Sequence, residues 1–292
     1  MRSSQPILVP DALAGQPLDV VVDMFETGHG GGVVERPSEH GKTVPHGIFA
    51  VAEQGHYEIA CGDGRAAVLA PGEGFLTPAH LPLRITHCGD PAAGGMLRIR
   101  WLHFRYLLYG ALDLDELLEY PLRVGVRDSV RFMAIARRLA ALNADGGRPP
   151  LYREAARREL AFRTLRLLLA LSRPRPEAAA VQAGGLHFLP VLHYLRRHLA
   201  EPLDVAHLAR LCHLSPPQFH VRFRRAFGCP PMAFVKRQRL AEAARRLRAE
   251  GTLKEIAAAT GFGGPFHLSR EFSRAFGQSP ALYRRQLRAG LA

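Results

Sequence analysis

The chain has 292 residues, 47% hydrophobic and 22% charged, the proportions of a folded, water-soluble protein with room for two domains. Its apolar stretches, such as Leu165–Leu171, are far too short to cross a bilayer; Met1-Arg2-Ser3-Ser4-Gln5-Pro6 lacks the apolar core of a secretion signal; and four scattered cysteines (Cys61, Cys88, Cys212, Cys229) suggest neither a disulfide framework nor a zinc knuckle. The net charge of +13 is concentrated at one end: residues 186–292 hold 18 Lys and Arg against 6 Asp and Glu, while the rest holds 21 against 20, the footprint of a domain that meets a polyanion.

In chain order, the region from about Val44 to Phe104 alternates short apolar runs with Gly and Pro. Ile48–Val51, Tyr57–Ala60, Ala67–Leu69, Gly74–Thr77, Leu83–Thr86 and Met96–Phe104 predict strands at the spacing of a small barrel or sandwich. Pro71-Gly72-Glu73-Gly74 predicts a turn between two of them. The period then changes. Val130, Met133, Ile135, Leu139 and Leu142, and later Ala156, Leu160, Phe162, Leu165, Leu167 and Leu169, recur at helical intervals. Asp145-Gly146-Gly147-Arg148-Pro149-Pro150 separates the two helices. This hairpin is richer in leucine than covering a barrel requires, which predicts pairing with a second copy of the chain; the competing reading is a hairpin that only caps the barrel. Arg173-Pro174-Arg175-Pro176-Glu177 and the small residues up to Gly185 predict a linker. The expected organisation is a strand-rich domain over 1–127, the hairpin over 128–172, a linker over 173–185 and an all-helical domain over 186–292.

The helical part contains a repeat. Leu208-Ala209-Arg210-Leu211-Cys212-His213-Leu214-Ser215-Pro216-Pro217 corresponds to Ile256-Ala257-Ala258-Ala259-Thr260-Gly261-Phe262-Gly263-Gly264-Pro265. Further along, Phe223 matches Phe272, and Phe227-Gly228 matches Phe276-Gly277. Each copy has the parts of a helix-turn-helix. A small residue (Ala209, Ala257) lets a second helix pack closely. A tight turn follows, and Ser215-Pro216 or Gly264-Pro265 opens the second helix. Phe219 and Phe223, like Leu268 and Phe272, face the core at i, i+4. The opposite face carries Gln218, Arg222 and Arg225 in one copy and His267, Arg270 and Arg274 in the other. Such side chains hydrogen-bond base edges or phosphates from a helix lying in the major groove.

On these residues the stretch from Pro202 to Arg285 resembles the DNA-binding domain of the AraC family of bacterial transcription regulators. The resemblance is carried by Gly261-Phe262, His267-Leu268-Ser269-Arg270-Glu271-Phe272 and Phe276-Gly277-Gln278-Ser279-Pro280-Ala281-Leu282-Tyr283-Arg284. Arg237-Gln238-Arg239-Leu240-Ala241-Glu242-Ala243-Ala244 stands in register as the long helix joining the two units. The resemblance implies two recognition helices in successive major grooves. Their base-reading positions would be Pro217, His220 and Val221 in the first and Pro265, Phe266, His267 and Arg270 in the second. Val221 stands where an arginine is common and would touch a thymine methyl instead. Arg222, Arg224 and Arg225 are better placed for phosphates. The implied partners are double-stranded DNA, RNA polymerase and a second copy of the chain.

The front region resembles the cupin-like sensor half of that family, on Gln54-Gly55-His56-Tyr57, Leu69-Ala70-Pro71-Gly72-Glu73-Gly74-Phe75-Leu76-Thr77-Pro78 and Ile99-Arg100-Trp101-Leu102-His103-Phe104. In relatives this barrel binds a small effector, often a sugar. A sugar site needs an aromatic face and a few hydrogen-bonding side chains. Trp101, with Arg84 on a neighbouring strand and His103 two residues along, is the candidate effector site; the competing reading has Trp101 filling the core. A metal-dependent cupin enzyme is a rival reading, because seven histidines precede residue 104. Such an enzyme needs a His-x-His pair, and none occurs in the chain, so no catalytic, metal or cofactor site is expected. A third reading is a front domain that senses nothing. The expectation is a cytoplasmic, homodimeric regulator of mixed α and β multidomain fold, with a cupin-like β-barrel, a helical hairpin and an all-α domain holding two helix-turn-helix units.

Overall fold

The computed structural model describes residues 20–108, 112–175, 185–247 and 251–288. The described residues form two compact units: 22–106 with 118–173, and those from 174 onward with 20–21 and the described part of 107–117.

The strand-rich unit opens with Val20–Val33 (β1) and Ser38–Lys42 (β2). Neither carries the apolar alternation that announces a strand, because β1 ends in a run of glycines and β2 is polar throughout. Gly47–Gln54 (β3), His56–Cys61 (β4), Ala66–Leu69 (β5), Gly74–Thr77 (β6), Leu83–Cys88 (β7) and Met96–Leu108 (β8) lie where the apolar pattern places them. Leu112–Asp113 (β9) and Arg123–Val124 (β10) are short additions. One sheet has the order β1-β8-β3-β6-β10, with β9 on the end of β8, and the other the order β2-β7-β4-β5. The sheets share one core, in which Ile48, Ala50 and Phe75 of the first join Tyr57, Ile59, Leu69, Leu83 and Ile85 of the second. The expected barrel thus takes the form of two sheets around a common interior.

Val126–Ala144 (α1) and Pro150–Leu171 (α2) form the hairpin. The Phe132 ring stacks on Phe49, with centroids 4.3 Å apart. The Tyr106 hydroxyl donates to the Ala161 carbonyl at 2.7 Å. Leu160, Leu165, Leu167 and Leu168 are all buried within the chain's own unit. The leucine excess that suggested a pairing surface therefore serves the chain's own core, where each buried side chain stabilises by roughly 1.5–3 kcal/mol.

The second unit holds Leu189–His198 (α3), Val205–Leu211 (α4), Pro216–Phe227 (α5), Pro231–Arg246 (α6), Leu253–Ala259 (α7), Pro265–Phe276 (α8) and Pro280–Arg288 (α9). Most of the expected linker, 176–184, lies outside the described residues. Among the described residues no helix is long and apolar enough to cross a membrane.

Candidate nucleic-acid interface

The two repeats fold alike because their local signals match. Asp204 caps α4 by accepting the His207 amide at 2.8 Å; Thr252 caps α7 in a reciprocal pair with Glu255. After α4, His213 turns the chain at φ 54°, and the Leu214 amide returns to the Ala209 carbonyl at 3.1 Å. After α7, Gly261 turns it at φ 71°, and the Phe262 amide returns to Ala257 at 2.9 Å. The left-handed conformation is free for Gly261 and costly for His213. Ser215 and Gln218 then cap α5 reciprocally, with Pro216 at its first position, while Gly264-Pro265 opens α8. Both helices run twelve residues and stop at left-handed glycines, Gly228 and Gly277.

Each second helix buries one face. Phe219, Phe223 and Phe227 of α5 gather around Phe188, with ring centroids 5.2 to 5.7 Å from it. Leu268, Phe272 and Phe276 of α8 pack with Phe262 and Tyr283. The opposite faces are open. On α5, Pro217, Gln218, His220, Val221, Arg222, Arg224 and Arg225 are all exposed, Val221 at 68%. On α8, Phe266 (90%), His267, Arg270 and Arg274 are exposed and Pro265 is half-buried. Gln218 has a local duty as well: its side-chain oxygen accepts the Ser215 amide.

Two supporting groups escaped the sequence reading. Glu271 is buried on α8 and meets Lys236 at 2.7 Å, Arg270 at 3.4 Å and Arg274 at 3.4 Å. The Lys236 ammonium, aided by the two arginines, holds its carboxyl below the usual range. Both arginines of the exposed face are thus tethered from beneath. The signal was a single acid on a basic helix, three residues before Arg274. The second group is Arg239 on α6, whose guanidinium donates to the carbonyls of Leu199 at 2.9 Å, Gly261 at 2.9 Å and Glu201 at 2.7 Å.

In the strand-rich unit, Trp101 and His103 lie on β8 opposite Ala50 and Ile48, so both face the interior. Their rings are 6.4 Å apart, and His103 lies 4.5 Å from the His46 ring. Trp101 is half-buried against the shared core and covers Gly28, where any side chain would collide with its ring. Arg84 does not join them. It stands on β7, in the other sheet, between Leu83 and Ile85; strand alternation turns those two inward and Arg84 out. There it lines an outer groove of about 430 Å³ with Glu39, Glu58 and Thr86. Among the described residues, His56, Glu58 and Cys88 bring potential ligand atoms within 4.8 Å of one another. The pairing of β4 with β7 sets His56 opposite Cys88, an arrangement that a search for His-x-His could not find.

Residues 208–286 match the family model for a helix-turn-helix domain, which spans both repeats. The chain is 30% identical over 130 residues to the MmsAB operon regulatory protein of Pseudomonas aeruginosa, covering 44% of this chain and 40% of that one. It is 35% identical over 116 residues to the HTH-type transcriptional regulator GlxA of Rhizobium meliloti, covering 39% and 36%. The chain therefore spans less than half the length of either relative. The crystal structure of ToxT from Vibrio cholerae O395, bound to (E)-4-(8-methylnaphthalen-1-yl)but-3-enoic acid, shares the fold at a TM-score of 0.51 and 9% identity, over 90% of this chain and 99% of that one.

Proposed function

We propose, with residues 208–286 forming an AraC-type helix-turn-helix domain, that the chain is a bacterial transcription regulator without catalytic chemistry. It would work in the cytoplasm, gripping double-stranded DNA with α5 and α8 and engaging RNA polymerase from the bound state. The observation that carries this reading is the repeated pair of exposed, cation-bearing helices, each backed by its own aromatic core. A small effector acting on the interior of the two-sheet unit would favour one arrangement of the regulator, to the extent of its differential affinity for the two states. The ToxT structure, with a small organic acid bound, supports such control.

The two helices divide the labour. On α8, Arg270 can read guanine through two hydrogen bonds and Phe266 can meet a thymine methyl. On α5, Arg222, Arg224 and Arg225 suit phosphates and Val221 a methyl. Arg270→Ala should cost about 1–3 kcal/mol on the cognate site and relax base preference at one position. Arg225→Ala should weaken cognate and scrambled DNA alike and reduce the salt slope by about one unit. Titration of both variants on both duplexes at two salt concentrations checks this. Equal losses on the two duplexes for Arg270→Ala would make that side chain a phosphate clamp. A melting curve matching the parent's shows that releasing Glu271 has not disturbed the helix.

The chain also reads as a homodimer with α2 in the contact. Leu160 and Leu167 are buried in the chain itself, so charging them would unfold it. Phe162 (45% exposed) and Leu151 (81%) remain available on α2. Changing both to Glu should yield monomers in sedimentation with an unaltered melting temperature. Dimers that persist would place the contact elsewhere.

A further inference from the structure

Gly55 is the single residue between β3 and β4, and it carries the chain from one sheet to the other. Its φ of 77° suits glycine, and a side chain there would collide with the Cys88 carbonyl. This close approach starts β4 with His56 directly opposite Cys88 at the end of β7. Glu58 follows two residues along, opposite Thr86. In an antiparallel pair, opposed residues and residues two apart share a face. Tyr57, Ile59, Leu83 and Ile85 take the core face, so His56, Glu58 and Cys88 project from the outer one.

On that face an imidazole, a carboxylate and a thiol bring one ligand atom each within 4.8 Å of one another. Cys88 is buried, His56 half-buried and Glu58 exposed, so the cluster runs from a covered sulfur to an open carboxylate. Among the described residues none of the three side chains makes a hydrogen bond or an ion pair elsewhere. Arg84, two residues from Thr86 on β7, leaves Glu58 unpaired as well. Tetrahedral Zn2+ holds nitrogen, oxygen and sulfur at about 2.0–2.3 Å, which sets ligand atoms about 3.5 Å apart. Rotation of the His56 and Glu58 side chains, which no hydrogen bond locks, closes that difference.

We propose that His56, Glu58 and Cys88 bind one Zn2+ ion on the outer face of the β4–β7 pair, with water in the fourth position. The Cys88 thiol gives its proton to water, and the thiolate takes the metal. Thiolate and carboxylate together neutralise the divalent ion. A thiolate beside an imidazole selects Zn2+ over Mg2+ and Ca2+, which prefer oxygen ligands throughout. The bound ion ties the start of β4 to the end of β7. None of these residues lies within 208–286, so the site stands or falls apart from the regulator reading.

The test uses the full chain, untagged, reduced and stripped of metal with a chelator. In competition with a chromophoric chelator it should bind one equivalent of Zn2+ with a Kd of about 1 µM or tighter, weaker than four-ligand structural sites. Zn2+ a hundredfold above its Kd should raise the melting temperature by about 5–10 °C, and Mg2+ should leave it unchanged. Co2+ in its place should give thiolate-to-metal charge-transfer absorption. Cys88→Ala should abolish that absorption, while Cys229→Ala should preserve it. His56→Gln and Glu58→Gln, changes at more exposed side chains, should melt like the metal-free parent and weaken Zn2+ binding about a hundredfold. No binding tighter than about 100 µM, no thiolate absorption in the parent, or absorption that survives Cys88→Ala overturns the proposal. Parental affinity in both His56→Gln and Glu58→Gln overturns it too, and keeps the test decisive if Cys88→Ala fails to fold.

Discussion

Residues 186–292, expressed alone, should bind duplex DNA with an affinity that falls about a thousandfold when salt rises fourfold. The segment carries a net +12, and the arginines of α5 and α8 stand exposed on the faces opposite the buried aromatics. If about six phosphates are contacted, counterion release sets a slope of log affinity on log salt near about −5. Both aromatic cores of the segment, from Phe188 to Phe234 and from Leu240 to Tyr283, are built from residues inside it, so it brings its own packing. Anisotropy of a labelled duplex at about 50 and 200 mM salt measures the slope. Binding that ignores salt, or no binding at the lower concentration, would sink the interface.

Arg239→Met should lower stability by about 2–4 kcal/mol, because one guanidinium serves three backbone carbonyls that would lose a charged donor together. These carbonyls close the end of α3, the loop after it and the turn between α7 and α8. The turn is tight there: a side chain on Gly261 would come within 2.7 Å of the guanidinium and 2.9 Å of the Ala200 carbonyl. Arg239→Lys should recover little, since an ammonium lacks the rigid planar fork. Specific DNA affinity should fall with the first variant, as α8 loses its anchorage through Gly261. Urea unfolding and DNA titration check the two effects. A loss under about 0.5 kcal/mol, the size of an ordinary surface substitution, would show that water replaces the guanidinium at all three oxygens.

The helix-turn-helix repeat was legible in the sequence because its determinants are local. Ser215-Pro216, the glycines at 228 and 277, and apolar residues four apart each act within a turn or two of the chain, so their meaning survives without knowledge of the fold. The strands from β3 to β8 were legible for the same reason, as alternation is a property of neighbours. β1 and β2 were not: the Gly-rich end of β1 and the polar β2 become strands only because β8 and β7 offer them partners. Tertiary structure alone decided where the leucines of α2 point, since a helical stripe shows that a face is buried and not against what. It moved Arg84 to the outside of a different sheet, and it brought Lys42, His40 and His87 together from strands some forty residues apart in the chain. It also made Arg239, one of many arginines in the sequence, the tie between the α3–α4 loop and the turn from α7 to α8. Composition and periodicity report what each residue is and which side of its own element it occupies. Which distant residue it meets depends on strand register and helix docking, and these are set by the packing of the whole unit.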